Sequence, residues 1–130
     1  MSYRTLVPAR NAILALVLFA GCQSQPHGHW AGTWQGDRPD YGGDLHCNVE
    51  QINEQQWRAA FTGYCGRFFA YKITMDGRAE GDAVAFGGKQ DLGEADGGIY
   101  HWTGRIEGDS FHGRYRSEKG KIGTFTMTRQ

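Results

Sequence analysis

The chain has 130 residues, with 14 basic and 14 acidic side chains, a length that fits one domain. Two of the arginines lie in the first 21 residues, so the rest carries 12 basic against 14 acidic residues, a net charge of −2. No basic patch or run remains, which argues against nucleic acid as a partner. The same region holds 19 of the 20 glycines and few long aliphatic residues, a composition typical of a tightly turned all-β domain.

The first 21 residues have the layout of a targeting segment. Arg4 and Arg10 precede a short apolar run, residues 12–20, which is too short to span a bilayer as a stable helix. Residues 19–22 (FAGC) resemble a bacterial lipobox, in which small residues precede a cysteine that becomes the lipid-modified N-terminus, although Phe19 stands where Leu is usual. We expect a lipoprotein signal helix over 1–21 and lipidation of Cys22. The alternative is an ordinary secretory signal peptide cut near Cys22.

The residues after Cys22 indicate a destination and a tether. Three lipid chains would anchor the domain firmly, since one acyl chain alone binds a membrane only marginally. Gln23 is not the Asp that resembles an inner-membrane retention signal, so we expect a bacterial cell-envelope protein anchored in the outer membrane and facing the periplasm. Residues 22–29 form a polar tether and 30–130 the domain. His27 and His29 are spaced like a metal-binding pair. Without a nearby carboxylate or thiol they make a poor site, so we interpret them as linker residues and predict no metal.

From Trp30 onward the pattern is strand, turn, strand, with no convincing helix. Residues 30–36 form the first strand and 37–43 a turn-rich loop. Leu45, Cys47 and Val49 then alternate with polar residues, the period of a strand with one buried face. Six further segments follow the same rule, and their predicted inward residues, with Trp34 of the first strand, are Trp57, Phe61, Phe69, Tyr71, Ile73, Met75, Val84, Phe86, Tyr100, Trp102, Ile106, Phe111, Tyr115, Phe125 and Met127.

Eight short strands with short connections imply antiparallel neighbours. Such strands must either close on themselves or pack as two sheets. Closure removes the exposed edges, so we predict an all-β, up-and-down barrel, with a sandwich as the alternative.

Two cysteines follow the leader. Cys47 and Cys65 fall on neighbouring predicted strands, and an exported protein permits a disulfide between them. The alternative is two separate buried thiols, because strand register decides whether their Cα atoms come within range.

A resemblance to the lipocalin (calycin) superfamily rests on three residues. Gly32 and Trp34 form a Gly-x-Trp on the first strand, and Arg129 ends the last strand. In that superfamily the indole lies across the closed end of the barrel and a C-terminal Arg or Lys packs on it. The resemblance therefore implies a lipocalin-like barrel in which Arg129 caps Trp34. The usual C-terminal helix and long opening loop are missing here.

A closer likeness is to a group of small bacterial exported proteins of unknown function. It spans nearly all of the domain and implies export and the barrel fold, but no activity. The segments that carry it are 32–36 (GTWQG), 58–63 (RAAFTG), 91–93 (DLG), 97–100 (GGIY) and 123–125 (GTF).

The predicted interior is rich in aromatic side chains. We predict a pocket for a small apolar ligand lined by Trp57, Tyr71, Tyr100, Trp102 and Tyr115. The alternative is a filled core, because an eight-stranded barrel is just wide enough for its own side chains. Three inward glycines then make room for the large rings; they are Gly63, Gly104 and Gly113.

Signals for chemistry are sparse. Asp91, Glu94 and Asp96 could gather oxygens around calcium, but their spacing does not fit an EF-hand, and a solvated acidic turn is the simpler interpretation. His46, His101 and His112 are all predicted to face outward, and His101 could pair with Asp96 or Glu94. No nucleophile elbow, zinc motif or phosphate loop is present, so we predict neither an enzyme nor a cofactor.

Two functions remain open. One is a binding module whose barrel holds a small apolar or amphipathic molecule. The other is an envelope interaction protein with a filled core, which uses an exposed patch such as the one around Phe68 on a partner protein.

Overall fold

The protein is an all-β barrel of eight antiparallel strands. A computed structural model describes residues 25–66 and 69–130. One 3₁₀ turn, Glu94–Asp96, interrupts the strand pattern. No helix in the described ranges is both long and apolar enough to cross a membrane. The strands are β1 (Gly28–Gly36), β2 (Gly42–Gln51), β3 (Gln56–Cys65), β4 (Phe69–Glu80), β5 (Ala83–Asp91), β6 (Ile99–Glu107), β7 (Ser110–Ser117) and β8 (Ile122–Arg129).

Each strand pairs with the next, and β1 also pairs with β8, so the sheet closes. This confirms the up-and-down barrel and rules out the sandwich. The first and last strands meet along seven residue pairs, from Trp30 opposite Arg129 to Gly36 opposite Gly123. Closure satisfies the backbone groups that an open sheet would leave on its two edge strands.

The barrel has two ends with different contents. We call the first the tether end; it holds the start of β1, the end of β8 and the β2–β3, β4–β5 and β6–β7 turns. The second, the mouth, holds the β3–β4 and β7–β8 turns and two longer loops, residues 37–41 and 92–98. Loops thus concentrate at the mouth.

Close-packed rings fill the barrel from the tether end to its middle. Phe111 is fully buried, and its ring centroid lies 5.1 Å from that of Phe86, 5.4 Å from Phe61, 5.6 Å from Phe125 and 5.8 Å from Trp30. These spacings are those of favourable aromatic pairs. The other buried members of this core are Leu45, Cys47, Val49, Trp57, Ala59, Ile73, Met75, Val84, Ile106 and Met127.

Two of the three inward glycines make room for rings, as predicted. A Cβ on Gly104 would lie 2.9 Å from Phe125, and one on Gly113 would overlap both Phe125 and the Thr103 carbonyl. Gly63 differs, because a Cβ there would meet only ordinary contacts, with Leu45 Cδ1 at 3.5 Å. Its missing side chain leaves space at the mouth.

The prediction that Arg129 caps Trp34 is wrong. The Arg129 guanidinium lies over Trp30, 4.9 Å from the ring centroid, because the β1–β8 register sets these two residues opposite each other. Trp34 sits four residues further along β1, opposite Phe125. The sequence contains a second Gly-x-Trp, residues 28–30, and it is this indole that closes the tether end.

The barrel begins two residues before its predicted start. β1 starts at Gly28, and the two residues before it are hydrogen-bonded to side chains at the tether end. Trp30 Nε1 donates to the Pro26 carbonyl at 2.9 Å, and Arg129 Nη1 donates to the His27 carbonyl at 2.8 Å. The predicted signal peptide over 1–21, the predicted lipidation site Cys22 and the predicted surface residue Phe68 lie outside the described residues.

Candidate functional site: the aromatic mouth pocket

A pocket opens at the mouth of the barrel, above the filled core. Its cavity volume is about 50 Å³. That volume accommodates about one or two water molecules. Inward residues of six strands meet residues of both mouth loops here. The lining consists of Trp34, Tyr41, Leu45, Gly63, Tyr71, Ile73, Leu92, Asp96, Tyr100, Trp102 and Tyr115.

Four of the five predicted pocket residues lie in this pocket. Tyr100 and Trp102 alternate inward on β6, and the β6–β7 register sets Tyr115 opposite Trp102. The Trp102 and Tyr115 ring centroids are 4.9 Å apart, and Tyr100 lies 5.8 Å from Trp102. Tyr71 enters from β4 on the other side, opposite Gly63. The result is an aromatic wall facing a gap left by a glycine.

Trp57, the fifth predicted residue, does not line the pocket. It is buried at the tether end, where the β3–β4 register sets it opposite Gly77. Gly63 lies six residues further along β3, a distance of about 20 Å at the rise of a strand. Trp57 shares the inward face with the mouth residues, but it lies at the other end of the barrel.

The loop over residues 92–98 covers part of the mouth. Its ends are joined by a hydrogen bond from the Leu92 amide to the Gly98 carbonyl (2.9 Å). Tyr100 Oη donates to the Asp96 carbonyl at 2.7 Å, which holds the loop against β6. Gly97 has φ 107°, and a Cβ there would overlap Tyr100 Oη, so this close approach requires glycine.

One polar group in the pocket has no partner. Within the described ranges, Trp102 Nε1 is buried and makes no hydrogen bond. A buried donor without an acceptor costs about 1–3 kcal/mol. By contrast, Trp34 Nε1 donates to the Tyr64 carbonyl at 2.8 Å. The Trp102 indole N–H is therefore an unpaired buried donor on a residue that lines the pocket.

Tyr71, Tyr100 and Tyr115 of the pocket stay neutral well above neutral pH. Burial raises the pKa of Tyr100 to about 12. Burial, followed by a hydrogen bond with the Asp96 carboxylate, raises the pKa of Tyr71 to about 12, and burial also raises the pKa of Tyr115. The pocket therefore presents uncharged hydroxyl and indole groups on an apolar wall, with one carboxylate, that of Asp96, beside Tyr71.

The predicted acidic cluster does not gather at one point. Asp91 Oδ1 accepts from the Gly93 amide at 2.9 Å, and Lys119 Nζ lies 3.6 Å from Glu94 Oε1. No group of three or more His, Cys, Asp or Glu side chains in residues 25–66 and 69–130 is arranged to hold a metal ion. His101 does not pair with this loop, because its Nε2 lies 3.0 Å from Glu118 Oε2.

Cys47 and Cys65 are free thiols. Cys47 lies opposite Phe61 in the β2–β3 ladder. Phe61 is four residues before Cys65 on the same strand, β3. Four residues of strand span about 13 Å, beyond the 4.4–6.8 Å that a disulfide requires between Cα atoms. The thiols are therefore separate, as in the alternative, but only Cys47 is buried, and Cys65 is half-buried. Cys47 is buried in the core, and burial raises its pKa to about 12.

Seven residues of the lining were not predicted as ligand contacts: Trp34, Tyr41, Leu45, Gly63, Ile73, Leu92 and Asp96. The sequence predicts that Trp34 faces inward and closes one end of the barrel, but Trp30 is the indole that closes that end. Tyr41 and Leu92 lie in or next to loops, where strand alternation gives no signal. Tyr41 packs edge-on to Trp34, with ring centroids 5.1 Å apart.

No family model matches the chain, and neither the curated proteins nor the solved structures contain a significant match.

Proposed function

We propose that this protein is a cell-envelope lipoprotein that binds a small apolar ligand, or the small apolar end of a larger one, in the mouth pocket of a lipocalin-like barrel. The observation that carries the proposal is the aromatic mouth pocket, which is lined by Trp102, a residue whose buried indole N–H has no acceptor among the described residues. A ligand with one hydrogen-bond acceptor on an apolar body satisfies this donor and covers the surrounding rings.

The size of the pocket limits the ligand. A volume of about 50 Å³ is too small for a whole lipid chain or an aromatic ring, and it fits only a short alkyl group. The rings of Phe61, Phe111 and Phe125 fill the barrel below, so a ligand has no deeper space to enter.

The position of the pocket agrees with a lipid anchor at the N-terminus. β1 runs from the tether end to the mouth, nine residues or about 30 Å. A lipid on Cys22 would hold the tether end toward the membrane, with the mouth at the far end. In this arrangement the pocket opens into the periplasm.

The filled core supports a second candidate, an envelope protein that binds a partner protein. In this case the mouth would receive one apolar side chain of the partner, and no small molecule would be retained. The small volume of the pocket is the observation that favours this alternative.

Native mass spectrometry separates the two candidates. The exported chain with Cys22→Ser carries no lipid and is purified without detergent; the wild-type chain, measured in parallel, should be heavier by its acyl chains. We expect the Cys22→Ser protein to carry extra mass that denaturation removes. Gly63→Val should abolish this mass, because the new side chain fills the pocket and meets only ordinary contacts in the wall.

Gly87→Val is the matched control. Gly87 lies on β5 and does not line the pocket. A Cβ at this position would lie 3.7 Å from the Trp102 carbonyl oxygen, which is an ordinary van der Waals contact. This variant should keep the bound mass. A bare Cys22→Ser protein would contradict ligand binding and favour the protein partner.

A further inference from the structure

Two histidines form a close pair on the outer surface of the barrel, away from the mouth pocket. His29 on β1 lies opposite Asn48 on β2, and His46 lies two residues before Asn48, so the imidazoles are diagonal neighbours on one face. His29 Nε2 lies 3.4 Å from His46 Nδ1, and the ring centroids are 5.5 Å apart. Both side chains are exposed to solvent.

Asn48 fixes the tautomer of His29. His29 Nδ1 lies 3.1 Å from Asn48 Oδ1. An amide oxygen only accepts hydrogen bonds, so Nδ1 must carry the proton and Nε2 of the neutral ring keeps its lone pair. A histidine that ligates a metal commonly donates its other N–H to a carbonyl or carboxylate oxygen in this way.

The separation of the two nitrogens matches a coordination edge. Zinc binds imidazole nitrogen at about 2.0–2.1 Å, so two nitrogens 3.4 Å apart reach one ion at an angle of about 110°, near the tetrahedral value. We propose that His29 Nε2 and His46 Nδ1 bind a divalent late transition-metal ion such as Zn²⁺, with water in the remaining positions.

The chemistry of the donors sets the class of ion. Neutral imidazole suits zinc, copper and nickel, whereas calcium and magnesium prefer oxygen ligands. In the bound state the ion replaces the proton between the rings, and the Nδ1 proton of His46 moves to its Nε2 through exchange with solvent. Because protons compete for the same lone pairs, lowering the pH should weaken binding.

Zinc titration of the full-length exported chain tests the site. Calorimetry measures the affinity and the number of ions bound, and NMR of the imidazole ¹⁵N nuclei identifies the ligands. We expect one Zn²⁺ per chain, with the His29 Nε2 and His46 Nδ1 signals shifting on addition. His29→Ala and His46→Ala should each weaken binding at least tenfold. The double variant should bind no Zn²⁺ at this site, since it retains neither imidazole. Asn48→Ala should weaken binding about 10- to 100-fold.

Two variants serve as controls. His112→Ala removes an exposed histidine from β7 and should leave the affinity unchanged. His27→Ala removes the other tether histidine and should also leave it unchanged. The proposal is overturned if Zn²⁺ does not bind at 1 mM (about the weakest affinity worth assigning to a site), or if His46→Ala leaves binding intact while His27→Ala abolishes it.

Discussion

At the scale of single residues, Trp30 closes the tether end of the barrel. Its side chain is fully buried, and its ring packs edge-on against Phe111. Its Nε1 donates a hydrogen bond to the Pro26 carbonyl. The Arg129 guanidinium covers the ring, and Arg129 Nε lies 3.9 Å from Asp109 Oδ1. A cation–π contact of this kind contributes up to about 2 kcal/mol when it is desolvated.

Trp30 and Trp34 should therefore differ in their effect on stability. We expect Trp30→Ala to lower the free energy of unfolding by about 3–5 kcal/mol, because it leaves a large cavity in the core. Trp34→Ala should cost less, since this indole is only half-buried and borders an existing pocket. Urea denaturation of both variants measures the difference, and equal losses would contradict the assignment of the closing role to Trp30.

At the scale of elements, the β4–β5 pair is the weak seam of the barrel. Its ladder has five residue pairs, from Asp76 opposite Gly87 to Glu80 opposite Ala83, whereas the β3–β4 ladder has ten. Toward the mouth, the side chain of Gln90 takes the place of the ladder, since its Nε2 donates to the Lys72 carbonyl at 2.7 Å. The seam therefore depends on one side chain next to the pocket.

Removing that side chain should loosen the mouth. In Gln90→Ala we expect amides of residues 69–75 that are not bonded to β3 to exchange with deuterium several-fold faster, because one hydrogen bond contributes about 0.5–1.5 kcal/mol. Lys89→Ala, a change at the neighbouring exposed position, serves as the control. Unchanged exchange in Gln90→Ala would mean that packing alone holds this seam closed.

At the scale of the whole molecule, the barrel buries several groups in their protonated form. Burial raises the pKa of Cys47 from 9.0 to about 12, and the pKa values of Tyr71 and Tyr100 from 10.0 to about 12. An unfolded chain releases these protons near pH 9–10. The folded chain therefore holds more protons than the unfolded chain between about pH 9 and 12, and raising the pH favours unfolding.

Stability should accordingly fall at alkaline pH. We expect the urea midpoint to stay constant up to about pH 8.5 and to fall progressively from pH 9 to 12. Cys47→Val removes one of these groups at nearly constant volume, so its midpoint should fall less steeply over the same range. A wild-type midpoint that does not change up to pH 11.5 would show that these groups titrate alike in both states.

The local pattern carries much of this fold. Period-two alternation from Leu45 onward assigns which face of each strand is buried, and short turns between strands require antiparallel neighbours. Eight such strands then close because open edges leave backbone groups unpaired. These inferences depend only on residues close together in the chain, which is why composition and spacing sufficed for the strands and the barrel.

The level of each residue along the barrel axis was decided by the tertiary structure. Trp57 and Tyr71 share the inward face, yet they lie at opposite ends; Arg129 meets Trp30 and not Trp34; and Cys47 and Cys65 lie out of reach of each other. Each of these outcomes follows from strand register. Register arises from contacts between residues far apart in the chain, such as those that pair β1 with β8. A hydrophobic pattern that repeats every two residues does not distinguish one register from another that is shifted by two residues.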